Sequence, residues 1–355
     1  MTVQWRWVQR YAEQFRACRV GPGQTAVVLS ETTSRPEVVE TSRLALETVG
    51  AAVVDVKVTT PPNPGPVPIR STGASQALQG NKAALAALAA ADFVADCTVE
   101  GLLHAPELGP ILASGPRVLM ISNEHPENVE RWPHDPQLAD RVARGVGLLA
   151  AANSMSVTSA AGTNLQVSLS GAVTAGSHGW CTAPGTIAHW PGGLVLAFPA
   201  TGSVTGTLVL APGDVNLTFK QYLRERVELT IIDDYITRIG GSGVDAELFG
   251  SYLAAFGERE AYAVSHVGWG MNESARWDSM ALWDKGDING TELRAFAGNF
   301  LYSTGANEVA GRFCRGHFDL PMRNCTVELD GMPVVTAGTL SPDLSAQTNP
   351  GGTSE

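Results

Sequence analysis

Over the first 150 residues, hydrophobic and polar positions alternate between two rhythms. Short, mainly apolar runs at Thr25–Ser30, Ala52–Val58, Phe93–Thr98 and Arg117–Ser122 read as strands. Stretches of helical length separate them. Pro36–Val49 has Ser34 as a cap, Pro36 in its first turn, Glu37 near the positive helix end and Gly50 as its stop. Asn81–Ala91 is rich in Ala and Leu, and Pro136–Leu149 follows the last strand. A Pro-rich loop, Pro61–Pro68, joins the second strand to the Ala/Leu helix. Strand and helix in alternation predict a doubly wound, mostly parallel sheet with right-handed crossovers.

The rhythm changes after Ala151. Val157–Ala160 and Leu165–Leu169 flank a Gly-containing turn and read as a hairpin. Gly193–Phe198, Gly206–Leu210, Leu229–Ile232 and Tyr235–Ile239 read as further strands. A helix is predicted over Val244–Phe256, ended by Gly257. Cys325–Leu329 and Pro333–Ala337 flank Asp330-Gly331, a strong hairpin signal. The fold class is therefore α/β, with an N-terminal doubly wound domain over residues 1–150 and a C-terminal mixed α+β domain over 151–341. The turn formers of 342–355 predict a flexible tail, which can also close over a site.

Composition narrows the function. With 24 basic against 35 acidic side chains the net charge is −11, which argues against a nucleic-acid partner. No uncharged apolar run approaches the roughly 18–20 residues that span a bilayer. The first residues, MTVQWRWVQR, lack the apolar core of a signal peptide. Five cysteines, an odd number with no C-x-x-C pair, argue against a disulfide framework or a zinc knuckle and suit buried thiols in a reducing cytoplasm.

The candidate chemistry lies in the histidines. In Gly316-His317-Phe318-Asp319, positions i and i+2 of a strand face the same side, so an imidazole and a carboxylate converge. A surface His–Asp contact would leave the same signature. His266 lies in a β-branched run that breaks into glycines, Val264-Ser265-His266-Val267-Gly268-Trp269-Gly270, as at a strand end aimed into a cleft. Two imidazoles and one carboxylate leave open positions on a metal: Fe(II) would activate dioxygen, whereas zinc would hydrolyse. A buried histidine bonded to a carbonyl is the plain alternative for His266. His104 follows the third strand through a short loop, beyond the carboxyl edge where open α/β sheets bind ligands. It is a candidate proton acceptor, against simple loop solvation. His189, beside Trp190 and Pro191, lines a pocket or packs structurally. Asp233-Asp234 read as a solvated hairpin turn rather than an acid dyad.

Several segments in order resemble the metal-dependent aminopeptidase T (M29-type) family: Gly162-Thr163-Asn164-Leu165, Pro191-Gly192-Gly193, Gly202–Leu208, Asp234-Tyr235-Ile236, Gly268–Asn272 and His317–Gly331. In those peptidases a metal-binding glutamate follows the double glycine. Leu194 stands there in this chain and cannot ligate a cation. The sequence is more similar to a related branch, the 2,5-dihydroxypyridine 5,6-dioxygenase group, which binds a single Fe(II). Its marks are Ser265–Gly270, Tyr302-Ser303-Thr304-Gly305 and Gly316–Asp319.

The resemblance implies His266, His317 and Asp319 as iron ligands, Ser303 near or on the metal and in contact with the substrate, and His104 as the active-site histidine. Leu103, Trp190 and Trp269 would be apolar walls, and His189 a substrate contact. It further implies a small hydroxypyridine and O2 as substrates, N-formylmaleamic acid as product, and a homo-oligomer. A metal-dependent peptidase or amidohydrolase, and a non-catalytic binder of aromatic ligands, are the rival readings.

Overall fold

The computed structural model describes residues 2–62 and 76–346. The chain opens with a helix α1 (Trp5–Ala17) that the strand–helix pattern does not announce. There follow β1 (Thr25–Glu31), α2 (Pro36–Thr48), β2 (Ala52–Val58), α3 (Lys82–Ala89), β3 (Phe93–Asp96), α4 (Leu108–Ala113), β4 (Arg117–Ile121) and α5 (Gln137–Ala151). Asn81 caps α3 by accepting from the Ala83 and Ala84 amides, as its side-chain chemistry favours. Ser34 does not cap α2. Its hydroxyl accepts from the Glu31 amide instead, tightening the turn before the helix. Residues 63–68 of the Pro-rich loop lie outside the described residues.

The strands pair in parallel in the order β2-β1-β3-β4, and β8 (Ile187–Trp190) joins β4 as a fifth parallel strand. That fifth strand comes from well beyond residue 150. Alternate residues of β1 face opposite sides, as a strand requires. Ala26 and Val28 pack with Phe15 of α1 and Leu46 of α2, whereas Val27 and Leu29 pack with Leu88 of α3. Both faces are thus covered, the condition under which parallel sheets occur.

The rest of the chain builds two antiparallel sheets. Before β8 come β5 (Ser154–Ser159), β6 (Asn164–Ser168) and β7 (Val173–Ser177). After it come β9 (Leu194–Phe198), β10 (Val204–Leu210), a ribbon of β11 (Val215–Asn216) and β12 (Gln221–Tyr222), β13 (Val227–Ile232), β14 (Tyr235–Gly240) and α6 (Val244–Ala255). The chain continues through β15 (Val264–Gly270), α7 (Thr291–Ala295), β16 (Phe300–Asn307), β17 (Arg312–Met322), β18 (Cys325–Leu329), β19 (Met332–Thr336) and β20 (Thr339–Leu340). One sheet runs β14-β13-β10-β6-β5-β18-β19-β20, the other β17-β16-β15-β9-β7. Their inner faces share one hydrophobic core, with Phe249 and Tyr252 of α6 packed on Phe318.

The link that matters for the site is short. β8 ends at Trp190, and after Pro191–Gly193 the chain is already in β9, beside β15. The carboxyl edge of the parallel sheet is thereby held against the antiparallel sheet that carries His266, His317 and Asp319.

Two expectations change. The Asp233–Asp234 turn does join β13 to β14, but Asp234 is not solvated: it is fully buried. Its carboxylate accepts from the amides of Gly202, Ser203 and Val204 and pairs with Arg312 at 2.8 Å. The tail is partly held, since Leu344 is buried in the core and the Ala346 amide donates to Glu273. Residues 347–355 lie outside the described residues. Because Arg312 is buried as well, Asp234→Ala strands a charge. It should cost about 3–5 kcal/mol, the range for a broken buried pair, read from urea unfolding.

Candidate metal centre

β16 and β17 set the first half of the site. They pair antiparallel with Ser303 opposite Asp319 and Gly305 opposite His317. The two-residue repeat of β17 therefore puts His317 and Asp319 on one face, as their spacing predicts. Gly305 has φ +112°, and a Cβ there would stand 2.0 Å from the Gly316 carbonyl oxygen, so no other residue fits beside His317 without moving the strand.

His266 arrives by a different device. β15 does not break at the glycines; it runs through to Gly270. Between Val264 and Val267 its register against β16 slips, a bulge that contains Ser265 and His266. A bulge re-aims a side chain, and the Ser265 hydroxyl fixes this one by donating to the Ala306 carbonyl at 2.5 Å.

The three side chains meet. Their ligand atoms lie within 4.8 Å of one another, the one such group of three or more found among the described residues. Nε2 of His317 is 3.3 Å and Nε2 of His266 3.7 Å from Asp319 Oδ1. Nδ1 of His266 is buried without a hydrogen-bond partner. Burial pushes the His266 imidazole down to about 3, against the upward pull of Asp319. It is thus the neutral, lone-pair form that a metal takes.

Burial by itself would raise the Asp319 carboxyl. Arg294, His317 and His266 outweigh it and hold the group well below the usual carboxylate range. Its Oδ2 accepts from Arg294 Nε at 2.5 Å and its Oδ1 from the Ser303 hydroxyl. Two imidazole nitrogens and a carboxylate oxygen around one point are a donor set that fits a divalent first-row cation.

A cavity opens from these side chains toward the parallel sheet. Leu103, Met120, Leu194, Leu196 and Leu301 supply its apolar wall; His104, His189, Glu100, Asn289, Thr291 and Arg294 supply polar atoms. His104 lies beyond the carboxyl edge, as predicted, with its ring 4.9 Å from that of His317. Burial, with His317 alongside, pushes it down to about 3.

The loop that carries His104 is built by Asp96. That buried carboxylate accepts from the Thr98 amide and hydroxyl and from the Leu102 amide. Gly101 has φ +74°, and a Cβ there would fall 1.9 Å from Met120 Sδ, so the loop lies directly on a cavity residue. His189 bonds through Nδ1 to the Pro191 carbonyl at 2.9 Å. A carbonyl only accepts, so Nδ1 carries the proton and Nε2 is left as an acceptor. Burial pushes this imidazole down to about 4, although the Pro191 carbonyl favours its charged form.

The candidate residues thus gather, with two differences of position. Ser303 is fully buried and bonds to Asp319 at the candidate metal site, near the metal as expected, but does not line the cavity where a substrate would sit. Trp190 and Trp269 are not walls. Trp190 turns away from His189 into the core against Tyr11, and Trp269 donates to Met271 Sδ in the other core. Neighbouring residues of a strand face opposite sides, so the Trp beside His189 could not share its cavity. Arg294 was missed. It stands in a five-residue helix, α7, twenty-five positions from Asp319, and no local motif marks it.

The match to known proteins extends over nearly the whole chain. The family model described as NicX, 2,5-dihydroxypyridine 5,6-dioxygenase, matches residues 6–342. A curated 2,5-dihydroxypyridine 5,6-dioxygenase from Pseudomonas putida KT2440 is 38% identical over 342 residues, which cover 95% of this chain and 97% of that one. The solved structure of 2,5-dihydroxypyridine dioxygenase from Pseudomonas putida KT2440 superposes with a TM-score of 0.89 at 37% identity, covering 96% of this chain and 98% of that one. Wild-type AmpT from Thermus thermophilus shares the fold, with a TM-score of 0.61 at 13% identity over 94% of this chain and 99% of that one.

The geometry predicts one divalent cation per chain. His317→Ala and Asp319→Asn should each weaken Co(II) binding, measured by calorimetry, more than the roughly 10–100-fold that losing an outer partner costs.

Proposed function

The chain belongs to the 2,5-dihydroxypyridine 5,6-dioxygenase family, and from that membership we propose that it uses Fe(II) to open 2,5-dihydroxypyridine between carbons 5 and 6. Both atoms of dioxygen enter the product, N-formylmaleamic acid, in a step of nicotinate or nicotine breakdown. The observation that carries the reading is the meeting of His266, His317 and Asp319 at one end of an otherwise largely apolar cavity. When bound there, iron supplies open coordination positions for a ring hydroxyl and for dioxygen and a path for electrons between them, relieving the spin mismatch that slows the uncatalysed reaction.

The protein's own groups do the rest. His266 and His317 offer ring nitrogens, and Asp319 an oxygen oriented by Ser303. His104 holds a free lone pair in the cavity and takes the proton of the 5-hydroxyl. The two hydroxyls of the substrate are para, so they cannot both reach one cation; the ring must be held by its faces and its far edge. Leu103, Leu194 and Leu196 hold the faces and exclude water. His189, an acceptor through Nε2, contacts a polar hydrogen of the ring. Leu194, in the cavity wall where the related peptidases place a ligand, leaves no donor for a second cation at that position.

Among the described residues no helix is long and apolar enough to cross a membrane. Five cysteines without a disulfide suit the reducing cytoplasm of this reading, and the enzyme is read as a homo-oligomer by its resemblance to self-associating relatives.

The test is anaerobic purification, iron quantitation and oxygen uptake with a panel of hydroxypyridines and catechols. One iron per chain and oxygen consumption with 2,5-dihydroxypyridine are expected; peptide hydrolysis with zinc, and no oxygen uptake, would replace the reading. His104→Ala should lower kcat by ~100–10,000-fold, the usual contribution of a positioned base, with iron content unchanged.

A further inference from the structure

Arg294 stands between the two things the site must bind. Its Nε donates to Asp319 Oδ2 at 2.5 Å, and the same side chain lines the cavity. It is well held: its carbonyl accepts from Asn299 Nδ2 at 2.7 Å, and Asn299 in turn accepts from the Gly270 amide at the end of the His266 strand. The helix it sits on begins at Thr291, whose hydroxyl bonds to Ser122 just past β4. The helix that presents Arg294 is therefore held from both sheets, and its guanidinium reaches Asp319, the Asp319 side chain 2% and its own 13% exposed.

A guanidinium is always charged. Beside a carboxylate that donates to a dication it repels that cation and withdraws electron density from the donor oxygen. In the same poorly solvated cavity it attracts a ring oxygen as that oxygen loses its proton. The two effects have opposite signs, and this distinguishes Arg294 from an ordinary partner of a metal ligand. Losing an ordinary partner weakens metal binding, typically by roughly 10–100-fold, because the ligand loses its orientation.

We propose that Arg294 is a positioning residue that sets the balance of the site, lowering its affinity for the cation and raising its affinity for an ionisable hydroxyl-bearing ring. Serving this balance, Arg294 holds Asp319 Oδ2 out of the ligand set. The inference rests on the metal-site reading above.

The experiment measures two binding constants anaerobically on the full chain: Co(II) for the empty protein by calorimetry, and 2,5-dihydroxypyridine for the Co(II)-loaded protein by absorbance. In Arg294→Gln, Co(II) should bind about tenfold more tightly and the ring about tenfold more weakly. In Arg294→Lys, which keeps the charge, Co(II) affinity should stay within about threefold of wild type. Weaker Co(II) binding in either variant, or unchanged ring binding in the glutamine variant, overturns the proposal and makes Arg294 a structural partner of Asp319. If the glutamine variant does not fold, as judged by circular dichroism, the lysine variant decides alone, since loss of orientation would weaken Co(II) there too. A wild-type protein that takes up no Co(II) sinks the metal-site reading itself, a result distinct from all of these.

Discussion

The structure turns on one buried carboxylate. Asp319 sits in a low-dielectric core, where an isolated negative charge would be neutralised by taking up a proton. It stays ionised because positive and polar groups are built around it: Arg294 on one oxygen, Ser303 and the two imidazole edges on the other. Each of those groups is placed by a separate element. Ser303 is its cross-strand partner, His317 its neighbour on the same strand face, His266 the product of a bulge, and Arg294 the gift of a short helix. A charge that expensive to bury demands that four elements agree, and that agreement fixes how β15, β16, β17 and α7 lie on one another.

The cavity follows from the way the two halves of the fold are joined. Open α/β sheets leave a crevice at the carboxyl ends of their strands. Here β8 ends the parallel sheet and the chain passes within three residues into β9 of the antiparallel sheet, so the crevice is roofed by His266, His317 and Asp319. Asp96 and Gly101 shape the loop that lowers His104 and Leu103 into it from one side. Buried Glu124 secures the opposite side by accepting from the Gly290 amide at the start of α7. Burial, with Glu292 nearby, raises the Glu124 carboxyl above its usual range. The half of the site that would bind metal and the half that would face a ring are thus parts of one arrangement rather than two domains brought together by chance.

What the sequence makes legible here is local. The i, i+2 spacing of His317 and Asp319 needs only a strand, and the strands β1 to β4 need only apolar runs between helix signals. The β13–β14 and β18–β19 turns declare themselves by Asp-Asp and Asp-Gly. What it hides is whatever depends on partners distant in the chain. Nothing in Ile187–Trp190 says that it will pair with β4. His266 looks like a strand end because the glycines that follow suggest a break; against Val195 and Phe296 those glycines instead let neighbouring backbone come close. Asp234 looks solvated in its turn because Arg312, which buries it, is 78 residues away. Arg294 gives no signal for the same reason. A cation that serves a distant carboxylate leaves no periodicity.

The choice between peptide hydrolysis and ring opening then has a physical basis in the wall itself. Hydrolysis of a peptide needs polar groups along an extended backbone and, in a two-metal site, a further carboxylate beside the first cation. This cavity has polar groups among its lining, but among the described residues none joins His266, His317 and Asp319 in their cluster, and the wall beside them is largely leucine. Leu194 presents a hydrocarbon face, and Leu103, Leu196 and Leu301 extend that face along the cavity. A surface of this kind gains little from a peptide's amides, which it would strip of water without replacing their hydrogen bonds. It gains from a flat ring, whose faces ask only for apolar contact and whose few polar atoms lie at the rim, where His104, His189 and Arg294 can meet them. On the proposed reading, the apolar wall therefore matters as much to the choice of substrate as the three side chains that would hold the metal.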